Sequence, residues 1–199
     1  QPEYYVPALA GGNVNLSIPN LSGYTQFTWL FNSKMKIAEL IINDSLTYFE
    51  NEFKGRTCLH PDGILQIFNV QKEDSSIYIL KLKDEKGVEE SRKIQLEVFG
   101  PVPKPVLKLE NIKNSGNYCF LNLSCVVSDP SVSYTWYEKN WHQLEHRHGV
   151  LEVTVNQQNY SDSYTCSVSN PVDNKTDTIR FTSFCMQGKK FPQGHRGGP

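Results

Sequence analysis

Apolar residues recur at every second position over much of the chain, the period of a strand that lays one face on a core. In the first half, Val14, Leu16 and Ile18 mark one run and Phe27, Trp29 and Phe31 the next. Residues 36–42 and 46–49 follow, then Ile64, Leu65 and Ile67, then Tyr78, Leu80 and Leu82, and finally Ile94, Leu96 and Val98. In the short run Thr57, Cys58, Leu59, the first and third residues share the inward phase, which turns the Cys58 thiol outward. The pattern breaks at residues 100–105, Gly-Pro-Val-Pro-Lys-Pro, and resumes at Val106, Leu107 and Leu109. Alternate prolines fix φ and hold the residues before them extended, so this segment reads as a short, stiff linker that stands a second domain nearly end to end on the first. The expected division is residues 1–99, the linker 100–105, residues 106–185 and a polar tail, 186–199.

One arrangement of residues occurs in both halves. Cys125, Trp136 and Tyr164-Thr165-Cys166 match Trp29 and Asp74-Ser75-Ser76-Ile77-Tyr78-Ile79-Leu80, with both cysteines missing from the first copy. A Trp on the third strand and a Tyr two residues before the second cysteine are the core of an immunoglobulin-type sandwich. The fold class is therefore all-β, two tandem sandwiches of about 100 residues each. By register Ile18, 11 residues before Trp29, and Leu80, two after Tyr78, stand where the first domain would carry its bridge. The structural core is expected to rest on Ile18, Trp29, Tyr78 and Leu80 in domain 1 and on Trp136 and Tyr164 in domain 2. The Tyr follows the Trp by 49 positions in domain 1 and by 28 in domain 2. The longer span holds two extra strands, C′ and C″, and makes domain 1 variable-type with nine strands, whereas domain 2 has no room for them and reads as constant-type. Arg56 and Asp74 fall where a variable-type domain pairs an arginine with an aspartate at its lower rim.

Composition removes whole classes of function. The net charge is −1, with 10 basic and 13 acidic residues in the first hundred and 10 basic and 8 acidic in the rest, so neither half carries the clustered basic surface of a nucleic-acid binder. No run reaches the roughly 18 apolar residues of a membrane span and no basic-then-apolar leader precedes Gln1, the expectation for a mature or trimmed soluble chain. Glycosylation sequons stand at Asn15, Asn20, Asn43, Asn122, Asn159 and Asn174, a density that points to an extracellular protein. Cys125 and Cys166 fit an inter-sheet bridge over Trp136, and Cys119 and Cys185 the second bridge, both requiring an oxidising compartment. That leaves Cys58 as a free thiol, with intermolecular pairing or an inert half-buried state as its alternatives. No nucleophile elbow and no phosphate loop is present, so the chain is read as a non-enzyme without cofactors. His142, His146 and His148 have metal-like spacing but lie in a loop with no completing ligand, and no metal site is assigned.

Phe53-Lys54-Gly55-Arg56, Val70-Gln71-Lys72-Glu73-Asp74, the linker Pro101-Val102-Pro103-Lys104-Pro105 and Tyr134-Thr135-Trp136-Tyr137 together resemble the signalling lymphocyte activation molecule (SLAM) family, and within it a two-domain, lipid-anchored type, over residues 4–185. The resemblance implies cell adhesion and immune recognition, with the natural killer cell receptor of the same family, the two-B-four receptor, as partner. It implies a cell-surface location if a lipid anchor is present and secretion otherwise. The tail after Cys185, polar and rich in Gly and Pro, departs from that type. It keeps a trimmed chain and a secreted, for example virus-encoded, decoy of the receptor both open.

The resemblance further implies that binding uses the face of strands G, F, C, C′ and C″ in domain 1. Asn15 lies on strand B of the other sheet, Asn20 at the B–C turn and Asn43 past C′, so no glycan falls on C, F or G. The residues expected to bind the partner are Lys36, Glu39, Leu40, Lys81, Lys83, Glu85 and Lys93, set among Lys34, Asp84, Lys86, Glu89 and Glu90, with Leu30 and Ile79 as apolar contacts. Charges of both signs favour specificity and fast association over raw affinity.

Overall fold

A computed structural model of the chain describes residues 1–181 and 195–197. The chain forms two compact units, residues 1–100 and 101–199. In the first, strands β1 (Tyr4–Leu9), β3 (Tyr24–Phe31), β4 (Met35–Ile41), β5 (Ser45–Tyr48), β8 (Ser76–Asp84) and β9 (Glu89–Phe99) form a six-stranded sheet in the order β1-β9-β8-β3-β4-β5. Strands β2 (Val14–Leu16), β6 (Thr57–Leu59) and β7 (Leu65–Ile67) form a second sheet, β2-β7-β6. All neighbours are antiparallel except β1, which runs parallel to β9. Strands β9, β8, β3, β4 and β5 are G, F, C, C′ and C″.

Trp29, Leu80 and Tyr78 are fully buried between these sheets and Ile18 is 4% exposed. Trp29 stands opposite Leu80 in the β3–β8 ladder, so the aliphatic side chain fills the space next to the indole where a bridge would run. Two buried aliphatic residues at these positions contribute roughly 1.5–3 kcal/mol each, on the scale of the covalent constraint they replace. Trp29 Nε1 donates to the Gly63 carbonyl, 2.9 Å away in the turn between β6 and β7, and so ties the two sheets together. Gly63 sits at φ +90°, and a Cβ there would come within 2.9 Å of Leu21 Cδ1, so this turn requires glycine on two counts. The hydrogen-bonded part of β2 stops at Leu16, short of Ile18, because Pro19 follows and has no N–H to extend the ladder. Ile64 likewise belongs to the turn before β7, its N–H held by Asp62 Oδ1 at 3.2 Å.

The lower corner of this unit is a hydrogen-bonded knot. Arg56 donates twice to Asp74, at 2.7 and 2.9 Å, and the Asp74 carboxylate also accepts the Gln71 N–H at 2.8 Å. Tyr78 Oη donates to the Asp74 carbonyl at 2.6 Å, the tyrosine corner of this fold. The hydrogen bonds Arg56 donates to Asp74 raise its pKa above the ordinary value, and burial does the same for the Tyr78 hydroxyl. The Arg56 guanidinium lies over the buried Phe53 ring, 4.9 Å from its centroid, and Phe53 packs edge-on against Tyr78.

The second unit has one sheet of β10 (Val106–Ser115), β11 (Tyr118–Val126) and β14 (Val150–Asn156), in the order β10-β11-β14. The other holds β12 (Ser133–Glu138), β13 (His142–Leu144), β15 (Ser163–Ser169), β16 (Asn174–Arg180) and β17 (His195–Gly197), in the order β13-β12-β15-β16-β17. C′ survives only as the three residues of β13. Cys125 and Cys166 are bridged across the sheets and Trp136 stands opposite Cys166 in the β12–β15 ladder. Cys119 is also disulfide-bonded. Its expected partner, Cys185, lies outside the described residues. Burial pushes the Tyr164 hydroxyl up to about 12.

Asp74 is 4% exposed and satisfies three donors at once, so Asp74→Ala should cost about 3 kcal/mol in urea-induced unfolding of unit 1, whereas a bridge acting as an exposed pair would cost under about 1 kcal/mol.

Candidate functional site

In the six-stranded sheet each strand sends alternate residues to the core and to the opposite face, and cross-strand partners share a side. Phe27, Trp29 and Phe31 of β3 point to the core, which leaves Gln26, Thr28 and Leu30 on the other side. The pairing then assembles that outer face in rows. Lys36, Leu30, Ile79 and Lys93 form one row across β4, β3, β8 and β9; Glu39, Thr28, Lys81 and Ser91 the next; Ile41, Gln26, Lys83 and Glu89 the third.

Lys36 and Glu39 reach one face only because of a bulge. The ladder shifts between Trp29 and Leu30, where Ile37 is the extra residue on β4, and both Ile37 and Ala38 are buried. Past the bulge the phase is inverted. Leu40 consequently pairs with Phe27 and packs against the core, which corrects its expected place among the partner-binding residues: strict alternation from Lys36 would put it outward. Leu30 does belong to the outer face but is only 4% exposed, so it is floor beneath the neighbouring side chains and offers little contact. Ile79 beside it is half-buried.

Polar contacts pin parts of this surface before any partner arrives. Glu39 Oε1 accepts Gln26 Nε2 at 3.0 Å and Thr28 Oγ1 at 2.9 Å. Gln26 and Thr28 were not among the expected site residues, although their places on either side of the inward-facing Phe27 point them outward. Lys83 lies 3.4 Å from Glu89, an exposed pair of small energetic weight. The Lys36 ammonium lies over the Phe49 ring, 5.6 Å from its centroid. Lys81 and Lys93 are exposed and have no ion-pair partner among the described residues. Glu85 is exposed in the β8–β9 turn, at the end of the face, where Asp84 Oδ1 holds the Lys86 and Val88 N–H groups at 2.9 Å.

The sequon asparagines of unit 1 lie elsewhere. Asn15 is exposed on β2 of the second sheet, Asn20 is exposed before β3, and Asn43 is exposed in the β4–β5 turn. In unit 2, Asn159 and Asn174 are exposed, while Asn122 is half-buried in the middle of β11. Cys58 is free and half-buried. His142 Nδ1 bonds Glu138 at 2.7 Å and the rings of His146 and His148 stack edge-on 5.4 Å apart, but no group of three His, Cys, Asp or Glu among the described residues is placed to hold a metal ion. No helix among the described residues is long and apolar enough to cross a membrane.

Residues 1–99 match the immunoglobulin V-set domain family. Over 191 residues, 94% of this chain and 78% of the other, the sequence is 42% identical to human CD48 antigen. The chain belongs to the SLAM family. Human natural killer cell receptor 2B4 is 33% identical over 133 residues, 61% of this chain, and the match spans 35% of that receptor's length. Canine signaling lymphocytic activation molecule is 26% identical over 82% of this chain and 48% of its own. Murine CEACAM1b, a solved structure 22% identical with a TM-score of 0.68 over 85% of this chain and 91% of its own, shares the fold. This SLAM-family chain is thus an immune-recognition receptor relative whose V-set domain presents a sheet face with no sequon asparagine on β3, β4, β5, β8 or β9.

The register predicts opposite behaviour for neighbours on β4: Leu40→Asp should lower the melting temperature by several degrees, since it places a carboxylate against the core, while Lys36→Glu should leave it within about one degree.

Proposed function

We propose that this chain is an adhesion and immune-recognition ectodomain that binds a SLAM-family receptor, natural killer cell receptor 2B4, through the outer face of β9, β8, β3, β4 and β5. The observation that carries the reading is the coincidence of two properties on one surface. It gathers charges of both signs, exposed Lys36, Lys81 and Lys93 with half-buried Lys83 and the hydrogen-bonded, half-buried Glu39, and no sequon asparagine of unit 1 lies on its strands, Asn43 standing in the β4–β5 turn at its edge. A bulky glycan excludes a protein partner, so a sheet face kept clear of sequons is the one open to docking. Similarity to human CD48 over 94% of the chain supports the same assignment of class.

On this reading Glu39, fixed by Gln26 and Thr28, is an oriented acceptor, and the exposed lysines on β8 and β9 are the cationic arm that meets an acidic surface. Charge complementarity of this kind sets register and speeds encounter. Glu85 at the end of the face adds a rim contact, and Ile79 supplies apolar area between Lys36 and Lys93. Unit 2 is bridged between its sheets by Cys125–Cys166 and contributes no residue to this face.

Surface plasmon resonance of the full chain over immobilised 2B4 ectodomain tests the face. Lys81→Glu with Lys83→Glu should weaken binding at least about tenfold, since a close interfacial charge pair couples by about 1.5 kcal/mol or more, and should leave the melting temperature nearly unchanged. Undiminished affinity in the double variant would remove these two residues from the contact.

A further inference from the structure

Unit 2 exposes an apolar patch on the outer face of β10-β11-β14. Residues of β11 alternate between the core, Cys119, Leu121, Leu123 and Cys125, and the outer face, Tyr118, Phe120, Asn122 and Ser124. Phe120 is 42% exposed and Tyr118 51%. Phe120, Asn122 and Ser124 therefore lie in one line, about two residues of strand rise apart, with the ring directly beside the sequon asparagine. Phe120 and Asn122, together with Lys113, Glu152 and Thr154, border a depression of about 410 Å³, within the size range of small-molecule clefts. Inside it, Asn122 Oδ1 is buried with no hydrogen-bond partner among the described residues, which a native fold rarely tolerates.

These observations meet in one occupant. We propose that Asn122 carries an N-linked glycan whose first N-acetylglucosamine lies in this depression, its apolar ring face on Phe120 and its polar groups toward Asn122 Oδ1, Lys113 and Glu152. The sugar is amphipathic in the same sense as its seat: C–H groups on one side meet an aromatic ring, and hydroxyl and acetamido groups at the rim meet charged and amide side chains. Phe120 is thus a positioning platform for carbohydrate, and the outer face of this sheet is covered by sugar instead of a protein. Among the six sequons, those of Asn15, Asn20, Asn43, Asn159 and Asn174 have no aromatic residue two positions before the asparagine.

The full chain secreted from mammalian cells decides the matter in two steps. Glycopeptide mass spectrometry should find Asn122 occupied, and an unmodified Asn122 would overturn the proposal. Calorimetric melting of the parent, Phe120→Ala, Ser124→Ala and the double variant then tests the packing. With the sequon intact, Phe120→Ala should lower the melting temperature of unit 2 by about 3–6 °C, the scale of one good contact in a domain this size. In the Ser124→Ala background, where no glycan is added, the same change should shift it by under about 1 °C. Equal shifts in the two backgrounds would show that Phe120 acts without the sugar. If Ser124→Ala is not secreted, Asn122→Gln removes the same glycan and serves as the background.

Discussion

The register of β3 is the constraint on which the first unit depends. Trp29 faces Leu80 on β8 and reaches across the sandwich to the Gly63 carbonyl, so the strand is fixed both along its ladder and between the sheets. A slip of one residue would turn Gln26 and Thr28 into the apolar core and expose the indole, a cost no surface contact could offset. Because the core side is set so firmly, the other side is set too, and the outward rows of charged residues inherit their spacing from the packing of Trp29.

The two units reach similar sandwiches by different means. In unit 2 a covalent bridge joins the sheets next to Trp136, and closing a loop of 41 residues stabilises by roughly 4 kcal/mol on the chain-entropy account. In unit 1 the equivalent positions are Ile18 and Leu80, and the corner is closed by Arg56, Asp74 and Tyr78 instead. Packing and hydrogen bonds spread the restraint over many residues, and each depends on its neighbours. The consequence for function is that a rigid face is obtained without cysteines at the Ile18 and Leu80 positions, with Cys58 left as a half-buried thiol outside the core cluster.

Much of this was legible in the sequence because the features concerned are periodic or paired. Trp29, Tyr78, Trp136 and Tyr164 announce the two sandwiches, and the Ile18–Trp29 spacing repeats that of Cys125–Trp136, which locates the missing bridge. What the sequence hides is whatever breaks periodicity. Ile37 adds one residue to β4 without a turn signal, and that single insertion sends Leu40 to the core while keeping Lys36 and Glu39 outward together. Leu30 shows the same limit in another form: alternation gives its side of the sheet but not how deeply its neighbours cover it. Pairs such as Gln26 with Glu39 and Lys83 with Glu89 depend on which residues the ladder sets opposite one another, and this follows only once register and bulge are known.

The proposed recognition through this face would also account for the placement of the sequon asparagines of unit 1 off its strands and for Lys81 and Lys93 having no ion-pair partner among the described residues, features that fold stability alone does not require. Hydrogen–deuterium exchange of the full chain, alone and saturated with the 2B4 ectodomain, is the most direct test. The account predicts slowed exchange confined to β3, β4, β8 and β9 and the β8–β9 turn, with β2, β6, β7 and unit 2 unchanged. Protection centred on β2, β6 and β7, or on unit 2, with the β8 and β9 amides unaffected, would contradict it.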